Sequence, residues 1–407
     1  MKAPRYFLLL TVFLFSSFAL VGREEVRLRS ETRLCCELPR NFQPRQFAND
    51  ASGATYVTGY TYTPPDDEQY FTWDILTFKF DSAGRGVWTN RYNGFNQYDD
   101  AAALALDGSG NVLVVGASET YRDGPTAMVT LKYGPNGLPV WTNVYYGRYF
   151  PFFGFAGSYG RAVAVDRLGN VTVAGAPSVA GGPDESDIVK YDANGVGVWT
   201  NHPPASQFSE LLAADANGDI IFVGASVING GVTVKYSAAG VPLWTNNVLG
   251  GSAAGVALDS GGNALALFWA GEGFTLTKYA PDGPALWTNR YAQLGADYFP
   301  QTILTDSRDA IYVAGILAPT GPLPVGSPGP NVTTIKFSSE GALGWSDSAD
   351  FPSANFFGNF VDSPLRFLSA SPREVVLAQD YYNQSSGSMD VLLFEYFQPP
   401  RNSKADR

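Results

Sequence analysis

The stretch KYDANGVGVWTN, residues 190–201, decides the fold because the chain repeats it. Each copy has two strand-like pieces around a turn rich in Asp, Asn and Gly, which are the residues that form tight hairpins. The other copies are KFDSAGRGVWTN at 79–90, KYGPNGLPVWTN at 132–143, KYSAAGVPLWTN at 235–246 and KYAPDGPALWTN at 278–289. Such a recurring phrase predicts a repeat architecture with one structural unit per copy.

Each copy closes a longer unit, as in AAALALDGSGNVLVVGASE at 101–119 followed by AMVTLKYGPNGLPVWTN at 127–143. The unit contains four strand-like segments. The repeated tryptophans are 53, 58, 45, 43 and 58 residues apart, a spacing that suits β-propeller blades; they are Trp88, Trp141, Trp199, Trp244, Trp287 and Trp345. A degraded seventh copy, LSASPREVVLAQ at 368–379 with MDVLLFEY at 389–396, brings the number of units to seven.

The unit predicts an all-β fold, a seven-bladed β-propeller of four-stranded antiparallel blades. Tight turns join strands one and two and strands three and four, so the long connections share the opposite end of each blade. The seventh unit ends at Tyr396 without a tryptophan strand. We expect the alternating EEVRLRS, residues 24–30, to close the ring as the outermost strand of the last blade, because closure removes exposed strand edges.

The repeated segments D-x-x-G-N-x-x-V-x-G and T-x-K-Y-x-x-x-G-x-x-x-W resemble the seven-bladed β-propeller repeat of bacterial secreted and cell-surface proteins. The resemblance covers about residues 41–396. It implies the propeller fold and a bacterial source, and it implies no single activity and no catalytic residues. The seventh unit and Phe268-Trp269 in the fifth unit depart from the pattern.

The ends of the chain predict export. Lys2 and Arg5 precede an apolar run from Tyr6 to Phe18, so residues 1–22 are typical of a signal peptide with cleavage near 19–23. The run is shorter than the roughly 20 residues of a membrane-spanning helix, and we expect no membrane insertion. The sequence thus predicts a single propeller domain at 24–396, a disordered tail at 397–407, and a secreted protein, extracellular, at the cell surface or in the periplasm.

The net charge of −11 argues against nucleic acid as a partner, because nucleic-acid binding requires a basic face. The adjacent Cys35 and Cys36 are the only cysteines, which excludes a disulfide framework and leaves a vicinal disulfide open. We expect no cofactor and no metal. The turn aspartates lack the Glu at position 12 of a calcium loop, since the stretch from Asp215 has Ser226 there.

The repeated lysines and tryptophans are interpreted as scaffold, with lysine ammonium groups bonded to carbonyls or a nearby Asp and indole rings packed between blades. His202, the only histidine, is expected to lie on a surface loop. One enzymatic alternative is similarity of D-x-x-G-x-x-x-W to the tryptophan-docking repeat of quinoprotein dehydrogenases. Another is a pair of loop acids that cleaves glycans.

The long connections are aromatic and polar, a composition that suits a sugar or a peptide ligand. The candidate ligand-binding residues are Tyr92, Phe95, Tyr98, Asp99, Tyr146, Arg148, Tyr149 and Phe152. Alternatively, these aromatic residues plug the channel of the ring. The leading functional hypothesis is a monomeric, non-catalytic propeller that binds an extracellular polysaccharide or protein, and the alternative is an assembly module of the cell envelope.

Overall fold

The computed structural model is all-β, and its described residues contain no helix. The structure describes residues 27–34, 38–39, 41–63, 72–94, 98–120, 124–150, 154–155, 157–177, 186–203, 210–226, 230–248, 250–293, 295–319, 331–350, 365–370, 374–383 and 388–397. The expected signal peptide, the pair Cys35-Cys36 and residues 398–407 of the expected tail lie outside these ranges. No helix in the described residues is long and apolar enough to cross a membrane.

Six sheets each consist of four consecutive antiparallel strands, and we number them sheet 1 to sheet 6 along the chain. Sheet 1 comprises β2 (Phe42–Asn49), β3 (Thr55–Thr63), β4 (Thr72–Phe80) and β5 (Gly86–Tyr92); sheet 2 comprises β6 (Asp99–Leu106), β7 (Val112–Glu119), β8 (Thr126–Tyr133) and β9 (Pro139–Tyr145). After the short ribbon β10 (Tyr149–Phe150) and β11 (Gly154–Phe155), sheet 3 comprises β12 (Tyr159–Val165), β13 (Val171–Ala176), β14 (Asp187–Tyr191) and β15 (Gly197–Asn201).

The next three sheets repeat this order. Sheet 4 comprises β16 (Leu211–Ala214), β17 (Ile220–Ser226), β18 (Gly230–Tyr236) and β19 (Pro242–Val248); sheet 5 comprises β20 (Ser252–Leu258), β21 (Ala264–Ala270), β22 (Gly273–Tyr279) and β23 (Ala285–Ala292); sheet 6 comprises β24 (Ala296–Thr305), β25 (Ile311–Pro319), β26 (Asn331–Phe337) and β27 (Leu343–Asp350). The expectation of an all-β fold built from four-stranded antiparallel sheets is confirmed, and the architecture is consistent with a β-propeller.

The C-terminal strands form a further sheet with the strand nearest the N-terminus. Strands β28 (Leu365–Ala370), β29 (Glu374–Asn383) and β30 (Ser388–Phe397) pair in sequence, and β1 (Arg27–Leu34) pairs with β30, giving the order β1-β30-β29-β28. The N-terminal strand was expected at 24–30. Residues 24–26 lie outside the described ranges; the described strand extends from Arg27 to Leu34, so the pairing continues beyond the alternating stretch that marked it in the sequence.

A repeated set of hydrogen bonds holds each tight turn between the first and second strands. In sheet 2, Asp107 Oδ1 accepts the backbone N–H groups of Ser109 and Asn111, at 2.9 Å each. Asp107 Oδ2 lies 3.2 Å from Nζ of Lys132 on the third strand. The interpretation of the repeated lysines as scaffold is confirmed for the described pairs, which are Lys79–Asp50, Lys132–Asp107, Lys190–Asp166, Lys235–Asp215 and Lys278–Asp259.

The Trp-Thr-Asn end of the phrase fastens each of sheets 1 to 5 to the sheet that follows it. Trp141 Nε1 donates to the carbonyl of Ala193 at 3.2 Å, and Asn143 Nδ2 donates to the carbonyl of Gly195 at 2.8 Å. The same two bonds recur from Trp88 and Asn90, Trp199 and Asn201, Trp244 and Asn246, and Trp287 and Asn289. The expected packing of these tryptophans between successive sheets is therefore confirmed.

The core lies between successive sheets. One apolar cluster joins Val112, Val114 and Val129 of sheet 2 to Tyr56 and Ile75 of sheet 1. The first strand of each sheet contacts the first strand of the next sheet, and β28 contacts both β24 and β2. The first strands of the sheets therefore lie next to one another, and their partly exposed side chains in sheets 1 to 6 face a shared inner space.

Candidate ligand-binding face

One end of the sheets carries most of the connections that differ between units. The turns between strands one and two and between strands three and four are short and are closed by backbone bonds, such as Gly110 N–H to the Asp107 carbonyl at 3.0 Å and Gly195 N–H to the Asp192 carbonyl at 3.0 Å. The remaining connections must therefore lie at the opposite end of each sheet. We call that end the long-loop face.

Three aromatic side chains of sheets 1 and 2 form a continuous row on the long-loop face. The rings of Tyr60 and Trp73 stack at 4.4 Å and 12°, and the Trp73 ring meets Tyr98 edge-on at 5.1 Å and 86°. A parallel backbone bridge also links Trp73 to Tyr98 and so joins the two sheets. We call Tyr60, Trp73 and Tyr98 the aromatic ladder. The Arg45 guanidinium lies over the Tyr60 ring at 5.0 Å and extends the ladder toward the first strands.

Two buried carboxylates anchor the backbone of the aromatic ladder. Asp74 follows Trp73 and forms an ion pair with Arg91, while Asp99 follows Tyr98; both are 0 % exposed. Asp99 accepts hydrogen bonds from the Ser118 hydroxyl and, at 2.8 Å, from the Gly94 N–H. These bonds hold the connection between sheets 1 and 2 in place beneath Tyr98.

Burial raises the pKa of the Asp99 carboxyl above its ordinary value, and the nearby charge of Asp74 adds to the shift. The hydrogen bonds from Ser118 and Gly94 oppose it, because they favour the ionised form. Burial likewise raises the pKa of Tyr92, with the Asp99 charge as the second cause. Asp99 therefore has a structural role in the long-loop face, because a fully buried carboxyl does not contact a ligand directly.

The structure places the other candidate residues as follows. Tyr92 is half-buried and packs against the core between sheets 1 and 2, whereas Tyr98 and Tyr146 are 45 % and 47 % exposed. Arg148 Nε lies 3.7 Å from Asp187 Oδ1. The backbone of Tyr149 pairs with Phe155 in the short ribbon, and Phe95 and Phe152 lie outside the described residues.

A second polar group on this face surrounds Asp187 of sheet 3. Its Oδ1 lies 2.9 Å from His202 Nδ1 and 3.5 Å from the Tyr145 hydroxyl, in addition to Arg148. His202 lies at the surface as expected, although its pairing with a buried carboxylate was not foreseen. Burial and the Asp187 charge raise the pKa of Tyr145, so its hydroxyl remains a hydrogen-bond donor well above neutral pH.

The first strands bring alternating charges to the shared inner space. Arg45 of β2 faces Asp100 of β6 at 3.4 Å, and Arg161 of β12 faces Glu210, which precedes β16, at 3.6 Å. The side chains of Arg45, Asp100 and Arg161 are 32 to 38 % exposed. Polar groups able to bond hydroxyls therefore lie beside the aromatic ladder.

The fully buried acids among the described residues of this face are poorly placed for glycan cleavage. Asp74, Asp99, Asp187 and Glu210 are each at most 2 % exposed, and each contacts an arginine or a hydrogen-bond donor. Glycosidic cleavage requires two carboxyl groups that both reach the sugar bond. Within the described ranges, no group of three or more His, Cys, Asp or Glu side chains is arranged to hold a metal ion.

The sequence-based choice of residues missed Tyr60 and Trp73. A signal for them exists, because eight tryptophans occur and only Trp73 and Trp269 stand outside the repeated phrase and its Trp345 copy. A tryptophan that the repeat does not require is a candidate for function. The stacking on Tyr60 was not foreseen because it depends on the register of β3 with β4, which places Tyr60 opposite Ile75.

No protein-family model matches the sequence, and no curated protein matches it. Among solved structures, the chain is similar to the Dos1 propeller, with 8 % identity, coverage of 91 % of this chain and 95 % of that one, and a TM-score of 0.47. It is also similar to a protein of unknown function from Bacteroides caccae, with 12 % identity, coverage of 72 % and 93 %, and a TM-score of 0.42. The calcium-binding protein regucalcin from Agrobacterium tumefaciens gives 14 % identity, coverage of 69 % and 84 %, and a TM-score of 0.38. At these identities and TM-scores, the similarities support no inference about function.

Proposed function

We propose that this protein is a secreted, non-catalytic β-propeller of seven blades that binds a neutral extracellular polysaccharide through its long-loop face. Ring closure is supported by the pairing of β1 with β30 and by the contacts of β28 with β24 and β2. Secretion is supported by the signal-like residues 1–22, and a bacterial source by the resemblance of the repeat pattern. We take the protein to be a monomer.

The single observation that carries the binding proposal is the aromatic ladder. An exposed aromatic ring offers a flat apolar surface to the face of a sugar ring. Tyr98 has 45 % of its surface exposed, and the ladder continues into the partly exposed Arg45 and Asp100. Flat rings beside hydrogen-bonding groups suit a ligand with apolar faces and many hydroxyls.

The charge of the protein favours a neutral polymer. A chain with a net charge of −11 repels a polyanion at long range. The arginines on the face are engaged by acids, as Arg45 is by Asp100 and Arg148 is by Asp187, so their charge is locally balanced. A neutral polysaccharide meets no such barrier.

The test is retention of residues 24–407 in native gels containing hydroxyethyl cellulose, xylan, glucomannan, laminarin or glycol chitin. Tyr98→Ala and Trp73→Ala are compared with Leu168→Ala, which removes an 81 % exposed side chain from a tight turn at the opposite end of the sheets. We expect at least one polysaccharide to retard the wild type and Leu168→Ala equally. Tyr98→Ala should bind about tenfold more weakly, a factor that corresponds to ~1.4 kcal/mol. No retardation by any polymer, or equal retardation of all variants, contradicts the proposal.

A specific observation favours a second candidate, an assembly module that contacts an envelope protein. The residue before the repeated tryptophan is apolar and 51 to 55 % exposed in five outer strands; these residues are Val87, Val140, Val198, Leu243 and Leu286. Exposed apolar residues that recur at one rim can mark an interaction surface. Crosslinking in envelope extracts, with Val198→Lys and Leu243→Lys as variants, tests this candidate, which fails if the crosslinked products are unchanged.

A further inference from the structure

A second aromatic pair lies on the long-loop face, between sheets 5 and 6. Trp269, near the end of β21, contacts Phe299 of the first strand β24, with ring centroids 5.5 Å apart and an interplanar angle of 32°. The pair joins two neighbouring sheets, as Trp73 and Tyr98 do between sheets 1 and 2. Both rings are partly exposed.

The fold does not require an aromatic residue at this position. Trp269 is opposite Phe274 on the third strand, four residues before Lys278, and the same register position holds Ala117 in sheet 2 and Ala225 in sheet 4. In sheet 1 this position holds Tyr60 of the aromatic ladder. Among sheets 1 to 6, sheets 1 and 5 are the two with an aromatic ring described at this register position.

Keeping Trp269 also has a cost. Its Nε1–H is buried and has no acceptor among the described residues, and an unsatisfied buried donor is unfavourable for folding. A smaller side chain, such as the alanine of sheets 2 and 4, would avoid this cost. The indole is thus retained without a requirement of the repeat and without a hydrogen bond to a described residue.

The connections that flank Trp269 and Phe299 in the chain are short. The connections 227–229, 249–251, 271–272 and 293–295 have two or three residues each. Three glycines in these short connections, Gly250, Gly271 and Gly295, have no atom within 4 Å of the point where a Cβ would stand. Described atoms therefore leave the space beside these three glycines open.

From this arrangement, we infer that Trp269 and Phe299 form a second sugar-binding subsite, so that one extended polysaccharide chain crosses the face from this pair to the aromatic ladder. The inference rests on the proposed function and deepens it, because it specifies a polymer bound at two separated points. Two linked contacts on one ligand strengthen binding only when the ligand is long enough to reach both. Binding should therefore increase with chain length.

The test uses the same five polysaccharides in native gels, followed by titration with the disaccharide and a long oligosaccharide, of at least ten units, of the polymer that is retained. The variants are Trp269→Ala, Phe299→Ala and Tyr98→Ala, with Leu168→Ala as the control and thermal unfolding as the check on folding. Trp269→Phe keeps a ring at the position and guards against a misfolded alanine variant.

We expect the wild type to bind the long oligosaccharide at least about tenfold more tightly than the disaccharide, and Trp269→Ala to lose most of that preference. Trp269→Phe should retain part of it. If Tyr98→Ala weakens binding while Trp269→Ala, Phe299→Ala and wild type show the same preference for length, the second subsite is wrong and the proposed function stands. If no polysaccharide retards the wild type, the proposed function itself is wrong.

Discussion

At the scale of single residues, the glycine of the repeated phrase both closes its own turn and packs against the preceding sheet. Gly137 closes a tight turn with φ of +82°, and a Cβ on it would lie 2.8 Å from the Trp88 ring of the preceding sheet. The glycine is thus required by the backbone of its own turn and by the indole packed against it. This double use explains why a turn and a tryptophan recur together along the chain.

Gly137→Ala should lower the free energy of unfolding by more than Gly110→Ala, measured by denaturant titration. Both glycines have positive φ, +82° and +77°, and each alanine therefore carries the ~1–2 kcal/mol cost of a left-handed conformation. Only Gly137 adds a clash, because the nearest atom to a Cβ on Gly110 is at 3.6 Å. Equal losses for the two variants would show that the indole does not pack as described.

The residue types in the sequence predicted the contacts of the repeated scaffold better than the contacts of the long-loop face. The repeated lysines and tryptophans could be assigned from sequence because the same contact recurs in sheet after sheet, as from Lys132 to Asp107 and from Trp141 to Ala193. The aromatic ladder occurs once, and its Tyr60–Trp73 stack depends on strand register. Asp99 was chosen for its position in an aromatic loop, yet its burial depends on Ser118 and Gly94, which the sequence does not place beside it.

At the scale of elements, the outer strand of each sheet uses its two faces differently. In β9, Asn143 points toward the next sheet and donates to the Gly195 carbonyl, whereas Thr142 is exposed. The alternation of a strand therefore separates residues that hold neighbouring sheets together from residues that meet solvent.

Asn143→Ala should destabilise the protein by ~1 kcal/mol, the usual net value of one hydrogen bond, and by more if the Gly195 carbonyl is left without a donor. Thr142→Ala, on the exposed face of the same strand, is the matched control and should change stability by less than ~0.5 kcal/mol. Thermal and denaturant unfolding of the two variants measures the difference. A larger loss for Thr142→Ala would contradict the assigned orientation of β9.

At the scale of the whole molecule, buried tyrosines of the repeat should make the protein sensitive to alkali. Burial raises the pKa of Tyr191 and of Tyr236 to about 12, compared with about 10 in an unfolded chain. Between pH 10 and 12, the unfolded state therefore releases protons that the folded state keeps, and stability falls as pH rises. Below pH 10 these groups do not make the free energy of unfolding depend on pH, because they are protonated in both the folded and the unfolded state.

We expect the free energy of unfolding to decrease from about pH 10 upward. The tyrosinate absorbance of the folded protein should rise at a higher pH than that of the unfolded chain. Tyr236→Phe should reduce the slope of stability against pH in this window. An unchanged slope for Tyr236→Phe, together with full ionisation near pH 10 in the folded protein, would show that these hydroxyls are not buried.

The pairing of the N-terminal strand β1 with the C-terminal strand β30 also concerns the whole molecule. Removal of residues 24–34 would expose the edge of β30 that β1 covers, and an open edge invites self-association. We expect the shortened chain, residues 35–407, to unfold at a lower temperature and to aggregate, and a synthetic peptide of residues 24–34 to restore part of the stability. Full stability of the shortened chain would contradict a stabilising role for the pairing of β1 with β30.

At this scale, the pairing of strands that are far apart in the sequence limits what the sequence can predict. The repeat period predicted the four-stranded sheets, and the missing last strand of the seventh unit pointed to the N-terminus as its source. The bounds of β1, Arg27–Leu34, did not follow from alternation, because its pairing with β30 contains an irregularity between Leu28 and Ser30. Such irregularities shift side chains from one face to the other and hide the pattern.

The measurement that tests the central claim most directly is hydroxyl-radical footprinting of the protein with and without the polysaccharide that retards it. Tyr98 and Tyr146 are nearly half exposed on the long-loop face, while Leu168 and Leu138 are exposed at the opposite end of the sheets. We predict that the ligand protects Tyr98 and Tyr146 from oxidation and leaves Leu168 and Leu138 unchanged. Protection confined to Leu168 and Leu138 would place the ligand at the wrong end of the molecule and contradict the proposed function.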